Sequence, residues 1–563
     1  MVIKLADNIY SPLGATTWEN YRAVMEGRCA LRQYALPDGS KYTASLFPEE
    51  ERHDDETYTF FEQLCIVSAS DAIARAGIDP SSPRCRFFLS TTKGNVHLLA
   101  QGNTERALLG TSANLISRRF GNPNPPVVVS NACISGLSAQ IAAMRSIEAG
   151  LCDTAVVIGC DVQSEFIISG FQCLHALSPD PCRPFDKDRC GLNLGEAAAT
   201  IVYGNASTLN SQLSTLNWFA EAGAMCNDAN HISGPSRTGE GSYRCLQALD
   251  IDKEQVAFVS VHGTSTLYND EMESIALDRA GLADVPMFSL KGIYGHTMGA
   301  AGVLETILSM QAVEHGMVFG TRGYEHLGVS RQVSVSPDTR TTDKHCFVKL
   351  LSGFGGCNAA MKFCYREPSA DIQEQPTATV SQPSLATIRI TPTADELVDL
   401  YRTHVGDYPK FFKMDPLSRL GFVASELLKK QLSTLNSQLS TGYGILLFNR
   451  SSSMADDLAF QATIQNRDNW FPSPALFVYT LPNIVTGEIA IRNHFQTETN
   501  FMVLDAPRPD IMAEQIALAA RRGPQIAGWC EVDADGNNLA ALVAVPQDTS
   551  KETIEQALYT LLK

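Results

Sequence analysis

The stretch VVVSNACISGLSAQIAAM, residues 127–144, passes from β-branched residues through a short polar turn into small and apolar residues at helical spacing. It predicts a buried strand, a turn and a helix, with Cys133 in the turn. Unsatisfied N–H groups at a helix N-terminus favour a thiolate, but the dipole alone lowers a pKa by only about one unit. Two interpretations of Cys133 therefore stay open at this point, a nucleophile and a small core residue.

The same alternation of strand and helix continues on both sides of this stretch. FEQLCIVSASDAIARAG (61–77) has helical periodicity, whereas RCRFFLS (84–90), DTAVVIGC (153–160) and AAATIVYG (197–204) are nearly continuous apolar runs. Strands of that kind are typical of a sheet covered by helices on both faces. An α/β fold is therefore predicted from residue 1 to about residue 365.

A second region follows a predicted linker. Residues 366–386 carry three prolines and no apolar periodicity. Residues 387–563 then repeat the pattern of the N-terminal half, most clearly in NFMVLDAPRPDIMAEQIALAARRG (500–523), which matches the strand, turn and helix of residues 126–150. We interpret this region as a divergent second copy in which Pro507 or Arg508 takes the place of Cys133.

Composition excludes several classes of function. The 563 residues carry 44 Lys and Arg against 61 Asp and Glu, a net charge of −17, which argues against a nucleic-acid-binding surface. No segment approaches the ~20 continuous apolar residues of a membrane span, and the N-terminus lacks an apolar run of signal-peptide length. A cytoplasmic protein without a membrane span is expected.

The cysteines predict neither disulfides nor a metal site. Their number, fifteen, is odd, they are scattered through apolar segments, and they form no CxxC pair. We therefore expect free thiols and no zinc.

Two later segments place polar residues after predicted strands. VAFVSVHGTSTLYNDEMES (256–274) has His262 at a strand end, followed by Thr264 and Thr266, and MFSLKGIYGHTMGAAGVLETI (287–307) has Lys291 and His296 in a glycine-flanked turn. Because α/β sheets bind ligands at strand ends, these positions favour a functional role.

Taken together, the segments NACISG, CRPFDKDRCGLNLGEAA, VHGTSTLYND, KGIYGHTMGAAG and GFGGCNAA resemble, in this order, the β-ketoacyl-acyl-carrier-protein synthases. The resemblance covers residues 1 to about 365. It implies a thiolase-like fold of five layers, α-β-α-β-α, with two similar halves at 1–204 and 205–365. It also implies a homodimer or a heterodimer with a related subunit. Residues 387–563 then resemble a smaller α/β domain equal to half a ketosynthase.

The reaction that the resemblance implies is a decarboxylative Claisen condensation, in fatty-acid or in polyketide and aryl-polyene synthesis. Cys133 would accept an acyl group from a carrier-protein thioester. His262 and His296 would donate hydrogen bonds to the enolate of decarboxylated malonyl-carrier protein. Lys291 would supply positive charge that keeps the histidines neutral.

Further residues have supporting roles by the same resemblance. Glu305 would hold the lysine. The backbone N–H of Phe354 would bind the acyl carbonyl together with that of Cys133, and the Phe354 ring would gate the acyl pocket. Thr264 and Thr266 would bind the phosphopantetheine chain, which arrives on the acyl carrier protein, so that no resident cofactor is expected.

Two other functions remain as alternatives: a thiolase, which would use a second catalytic cysteine, and a noncatalytic chain-length factor or scaffold. Cys357 in GFGGCNAA is expected to be structural, whereas the second region fits the noncatalytic class and is expected to influence substrate length or carrier docking. Carrier docking needs local basic residues, for which the candidates are Arg118, Arg119, Lys187 and Arg189.

Overall fold

The structure, a computed structural model, describes residues 1–36, 39–207, 217–367, 385–434 and 442–563. In residues 1–367 the strands are β1 (Val2–Tyr10), β2 (Leu31–Ala35), β3 (Lys41–Ser45), β4 (Cys85–Ser90), β5 (Val127–Val129), β6 (Thr154–Asp161), β7 (Leu194–Gly195), β8 (Ala197–Asn205), β9 (Asn217–Asn227), β10 (Val256–Ser260), β11 (Met287–Phe288), β12 (Met317–Val318), β13 (Arg340–Thr341), β14 (Cys346–Gly353) and β15 (Cys357–Arg366). The helices there are α1 (Thr17–Met25), α2 (Phe60–Ala76), α3 (Thr104–Ala107), α4 (Leu109–Arg119), α5 (Ser135–Glu148), α6 (Glu165–Cys173), α7 (Glu240–Gln247), α8 (Leu267–Arg279), α9 (Lys291–Tyr294) and α10 (Ala301–Glu314).

The second region has its own strands and helices. They are β16 (Ala386–Ile390), β17 (Gly444–Asn449), β18 (Thr499–Val503), β19 (Gln525–Val532) and β20 (Asn538–Val545), with α11 (Ala394–His404), α12 (Pro416–Thr434), α13 (Met454–Ile464), α14 (Pro474–Tyr479), α15 (Ile484–Asn493), α16 (Pro509–Ala520) and α17 (Lys551–Leu562). The strands and helices expected from the apolar runs of residues 61–204 are confirmed as α2, β4, β5, α5, β6 and β8.

The first region is layered as the resemblance implies. Helices α5 and α10 lie in one apolar core between the sheet β1-β8-β6-β4-β5 and the sheet β11-β10-β14-β15-β9. Helix α2 covers the outer face of the first sheet, and α7 and α8 cover the outer face of the second. The predicted five-layer α-β-α-β-α fold is therefore confirmed.

The second region repeats the first sheet and extends it. Its strand order, β16-β20-β19-β17-β18, mirrors β1-β8-β6-β4-β5, and each pair has the same parallel or antiparallel sense as its counterpart. The two halves join where β18 pairs antiparallel with β5, with Met502 opposite Val129 and Val503 opposite Val128. Because β1 also pairs antiparallel with β9, which links the two sheets of the first region at one edge, a single hydrogen-bonded sheet of fifteen strands runs through both regions in the described residues.

The apolar cores are continuous across this join. One core contains residues of α5 and α10 together with α16 and α17, and the core on the opposite face of the sheet contains residues of α2 together with α12. Helix α17 packs on α16 and β20, as α10 packs on α5 and β8 in the first region. It thereby covers a sheet face that would otherwise expose apolar side chains to water.

Most of the predicted linker, residues 368–384, lies outside the described residues, and the flanking strands end at Arg366 and begin at Ala386. The expectation of free thiols throughout is wrong for one pair, because Cys346 and Cys364 form a disulfide. The antiparallel pairing of β14 with β15 places these two cysteines opposite each other, which their positions in the sequence do not reveal.

The described helices include none whose length and apolar character would let it traverse a lipid bilayer.

Val503→Asp is expected to destabilise the whole chain, since it places an unpaired carboxylate in a fully buried position of β18. A buried charge without a partner costs about 3 kcal/mol or more. Urea unfolding followed by circular dichroism measures the loss. Val67→Asp, at a helix position 48% exposed, is the matched control and should change stability by no more than about 0.5 kcal/mol. Equal effects of the two changes would contradict the importance of the β5–β18 join.

Candidate active site

Cys133 lies in a short 3-10 turn, Ala132–Ile134, between β5 and α5. Ala132 has a φ of +48°, in the left-handed region that a non-glycine residue rarely adopts. Such backbone strain persists only where the surrounding structure enforces it, and it concentrates at functional sites. The Cys133 side chain is half-buried, whereas both neighbours in the turn are fully buried.

A close approach of α5 to α10 brings the segment of His296 to this turn. A Cβ on Gly136 would stand 2.8 Å from the Cα of Gly302, so that only glycine permits the contact. Because His296 precedes α10 by a few residues, the contact places its loop beside the Cys133 turn.

The thiol and the two histidines form one cluster. The Sγ atom of Cys133 and one ring nitrogen each of His262 and His296 lie within 4.8 Å of one another. The ring centroids of the two histidines are 5.0 Å apart with an interplanar angle of 82°. In the part of the chain that the structure describes, this trio is the group whose spacing would suit a metal ion; the expectation of no metal stays a prediction.

The hydrogen bonds of His296 fix its tautomer. The backbone N–H of Met298 donates to Nδ1 of His296 over 3.3 Å, so that Nε2 carries the proton. That Nε2 is buried and has no hydrogen-bond partner among the described residues. His296 therefore presents an unused N–H donor.

His262 is held by its backbone. Its N–H and that of Gly263 donate to the two oxygens of Glu273 over 2.6 and 2.7 Å. Its ring Nδ1 is buried without a hydrogen-bond partner among the described residues. The ring therefore remains free to accept or to donate a proton.

Both imidazoles are held neutral. Burial is the main reason that the pKa of each lies well below its usual range, and the charge of Lys291 lowers both pKa values further. Neutral imidazoles at pH 7 are what hydrogen-bond donation to an enolate requires.

The lysine belongs to a buried group of three charges. The Nζ of Lys291 is 2.7 Å from Oε1 of Glu305, and the Nζ of Lys349 is 2.6 Å from Oε2 of the same carboxylate. The two lysines outweigh burial and lower the pKa of Glu305. Two cations around one carboxylate leave a net positive charge beside the histidines.

Sequence reasoning did not identify Lys349. It lies within the apolar run CFVKLLSG of β14, where nothing local marks it as functional. Its Nζ also donates to the backbone oxygens of Ser260 and Val261, each over 3.0 Å. Burial lowers its pKa to about 8.

The Cys133 thiol differs from expectation. A lowered pKa was predicted from its place at a helix start, but burial raises the pKa to about 12, with Lys291 opposing the rise only in part. Desolvation of the thiolate therefore outweighs the helix dipole. The resting group is a neutral thiol, which can act as a nucleophile only after a base removes its proton.

Asp161 is a further residue that sequence reasoning missed. Its buried carboxylate accepts hydrogen bonds from the Oγ1 atoms of Thr91 and Thr92 and from the N–H of Gly299. It thereby connects the loop after β4 to the loop that carries His296. In the sequence, Asp161 could have been recognised as the acidic residue that ends the apolar run VVIGCD.

The second region supports the loop that contains Phe354. Nδ2 of Asn483 donates to the carbonyl oxygen of Phe354 over 2.7 Å, and a Cβ on Gly355 would stand 2.6 Å from the same nitrogen. A Cβ on Gly353 would lie 3.2 Å from the backbone nitrogen of Cys133, so that this loop is adjacent to the Cys133 turn.

A small cavity touches Cys133 at this place. Its apolar lining comes from the first region through Ile167, Phe171 and Phe354, and from the second region through Phe477 and Leu481. Its free volume is about 20 Å³, room for about one water molecule. An acyl chain therefore requires aromatic side chains to move.

The remaining predicted residues lie outside this cavity. The hydroxyls of Thr264 and Thr266 are 2.9 Å apart and precede α8. Of the docking candidates, Lys187, Arg118 and Arg119 are exposed. Arg189 is not available for docking, because it is buried and its guanidinium donates to the backbone oxygens of Asp186, Gly328 and Leu267.

Family models match most of the first region. Residues 8–207 match the model for the N-terminal domain of β-ketoacyl synthases, and residues 218–325 match the model for the C-terminal domain. The chain belongs to the β-ketoacyl synthase family. This family consists of condensing acyltransferases, which confirms the predicted enzyme class.

Individual relatives agree with this assignment. Nodulation protein E of Rhizobium leguminosarum bv. trifolii is 26% identical over 54% of this chain and 82% of its own length. 3-Oxoacyl-[acyl-carrier-protein] synthase 2 of Rhizobium meliloti (strain 1021) is 27% identical over 64% of this chain and 97% of its own length. A structure titled "PfaC Keto synthase-Chain length factor" superposes with a TM-score of 0.77 at 14% identity, covering 97% of this chain and 78% of that one. This last likeness concerns the fold, and it includes the second region.

Lys349→Met is expected to move the acid limb of the activity profile to higher pH. Without Lys349, Glu305 neutralises Lys291, and less positive charge opposes protonation of His262 and His296. Their pKa values should rise from well below 6.5 towards it, and activity should be lost at a higher pH as the medium is acidified. Malonyl decarboxylation measured from about pH 5 to pH 8 tests this. Lys362→Met, at a lysine on β15 that pairs with Glu221 instead, is the control, and identical profiles for both variants would contradict the role of Lys349.

Proposed function

We propose that this chain is a 3-oxoacyl-[acyl-carrier-protein] synthase that condenses an enzyme-bound acyl group with malonyl-carrier protein. The observation that supports it most is the approach of Cys133 to two neutral histidines within 4.8 Å. A thiol next to a possible base and a fixed N–H donor has the groups that acyl transfer and enolate stabilisation need.

Acylation comes first. The Cys133 thiol gives its proton to His262, and its sulfur attacks the carbonyl carbon of an acyl thioester. The S–C bond forms, the backbone N–H groups of Cys133 and Phe354 bind the oxyanion, and the phosphopantetheine thiol leaves with a proton. Because burial favours the neutral thiol, a base in contact is required for this step.

Condensation follows. Loss of CO₂ from the malonyl group leaves its bonding electrons as an enolate, whose oxygen accepts hydrogen bonds from Nε2–H of His296 and from His262. The carbanion carbon attacks the acyl carbonyl, a C–C bond forms, the C–S bond to Cys133 breaks, and the released thiolate takes up a proton from solvent. The net charge of Lys291, Lys349 and Glu305 favours the anionic state.

The second region, in this proposal, is a ketosynthase-like partner carried in the same chain. Three observations support it: β18 continues the sheet at β5, Asn483 holds the Phe354 loop, and Phe477 and Leu481 line the cavity at Cys133. Counted from the last residue of each strand, Val129 in β5 and Val503 in β18, Pro507 is the counterpart of Cys133. This region shapes the acyl pocket without performing chemistry.

The carrier protein is proposed to dock near the start of α8, with Thr264 and Thr266 binding the phosphopantetheine amides. Their hydroxyls are adjacent, and the exposed side chains of Leu267 and Tyr268 follow them directly. Lys187 is an exposed cation available for contact with an acidic carrier.

Intact-mass spectrometry after incubation with acyl-carrier proteins tests the acylation step. The wild-type chain should gain the mass of one acyl group, and Cys133→Ala should gain none. Cys190→Ala, at an exposed free cysteine, should acylate like the wild type. An acyl group retained on Cys133→Ala would overturn the assignment of the nucleophile.

His296→Ala separates the two half-reactions. It removes a donor to the enolate but leaves the thiol and His262, so that acylation of Cys133 should persist while malonyl decarboxylation falls by about 10²–10³-fold. Release of CO₂ from labelled malonyl-carrier protein measures the second step. Parallel losses of acylation and decarboxylation would contradict a separate role for His296.

A further inference from the structure

A buried lysine lines the cavity at Cys133. Lys93 follows β4, is 5% exposed, and forms part of the cavity wall together with Phe477 and Thr480 of the second region. A charged side chain is an unusual lining for an acyl site, because its burial is costly unless it is paired.

The pairing partner comes from the second region. The Nζ of Lys93 is 2.5 Å from Oδ1 of Asp457 and 3.2 Å from Oγ of Ser453, and it also donates to the carbonyl oxygen of Thr480. Lys93, Asp457 and Ser453 are all buried. The ion pair therefore lies inside the contact between the two regions.

Beyond the pair lies a second cavity. Lys93 and Asp457 form one side of it, and its apolar lining includes Val96, Leu99, Leu109 and Met454. Its free volume is about 10 Å³, similar to that of the first. Lys93 thus lies between two cavities, one at Cys133 and the other farther along the contact between the two regions.

We propose that the Lys93–Asp457 ion pair closes the far end of the acyl cavity at Cys133 and restricts this enzyme to short acyl groups. The inference rests on the proposed ketosynthase function and assigns a specificity-determining role to two residues outside the reacting group.

The physical reason is the stiffness of a buried ion pair. To pass, an acyl chain must separate the ammonium from the carboxylate and leave each charge uncompensated in an apolar surrounding, which is strongly unfavourable. The aromatic side chains of Phe171 and Phe354, which line the same cavity, carry no charge and can yield by changing rotamer. The cavity can therefore widen near the thiol but not extend past Lys93.

A second ion pair between the regions serves as control. Arg145 of α5 binds Glu498 through two hydrogen bonds of 2.7 and 2.8 Å, and both side chains are largely buried. Neither residue lines the two cavities. Loss of this pair weakens the contact between the regions without opening a path for an acyl chain.

The experiment compares acylation of Cys133 by acetyl-, butyryl- and octanoyl-carrier protein, followed by intact mass on the full-length chain. The wild type should accept acetyl and butyryl groups and exclude octanoyl. The double variant Lys93→Ala/Asp457→Ala joins the cavities without leaving a lone charge, and its ratio of octanoyl to butyryl acylation should rise by about tenfold or more, in line with methylene discrimination in apolar pockets. Arg145→Ala/Glu498→Ala should keep the wild-type ratio.

Lys93→Met/Asp457→Asn provides a variant that keeps side-chain length and removes the charges. It should raise the ratio as well, though by less, since a flexible apolar side chain can be displaced. A wild type that takes octanoyl as readily as butyryl, or double variants that take butyryl with an unchanged ratio, would overturn the ion-pair closure alone. Absence of any acyl adduct, in all variants and with all donors, would overturn the proposed function and this inference together.

Discussion

The antiparallel pairing of β5 with β18 is the contact on which the arrangement of the active site depends. β5 is three valines long, and Cys133 follows its last residue by four positions. Without the second region, β5 would be a short edge strand with few hydrogen bonds. Here Val128 and Val129 pair with β18, and the N–H of Ser130 donates to the carbonyl oxygen of Phe501. The Cys133 turn is therefore fixed from both sides, by its own sheet and by the second region.

The second copy repeats the strand, turn and helix of the first but does not keep the thiol. The antiparallel pairing relates β5 and β18 by a local twofold axis. The turn after β5 therefore faces the second copy, and the turn after β18 faces the first. In the second copy the turn LDAPRPD carries Asp505, whose carboxylate pairs with Arg508 and accepts from Asn114 of α4. The turn that holds a thiol in the first copy thus serves packing in the second, while the sheet and core around the turn are kept.

The sequence predicts what is local and misses what depends on long-range contact. Strand and helix periodicity predicted α2, β4, β5, α5, β6 and β8, and the residues Cys133, His262, Lys291 and His296 stand out because each follows a strand in a glycine-rich turn. Lys349 and Lys93 have no such signal, since their importance comes from Glu305 and Asp457, which lie far away along the chain. The Cys346–Cys364 disulfide was missed for the same reason, because strand register decides it.

Because the second region is part of the same chain, its contact with the first region does not depend on protein concentration as that of a separate subunit would. A tethered partner is present at an effective concentration of about millimolar even through a flexible connection, and the shared apolar cores add to this. The side chains of Phe477 and Leu481, which line the cavity at Cys133, and of Asp457, which pairs with Lys93 in the wall of that cavity, are therefore supplied by the same chain. Both regions set the shape of the cavity at Cys133, so that a substitution in the second region changes this cavity as directly as one in the first.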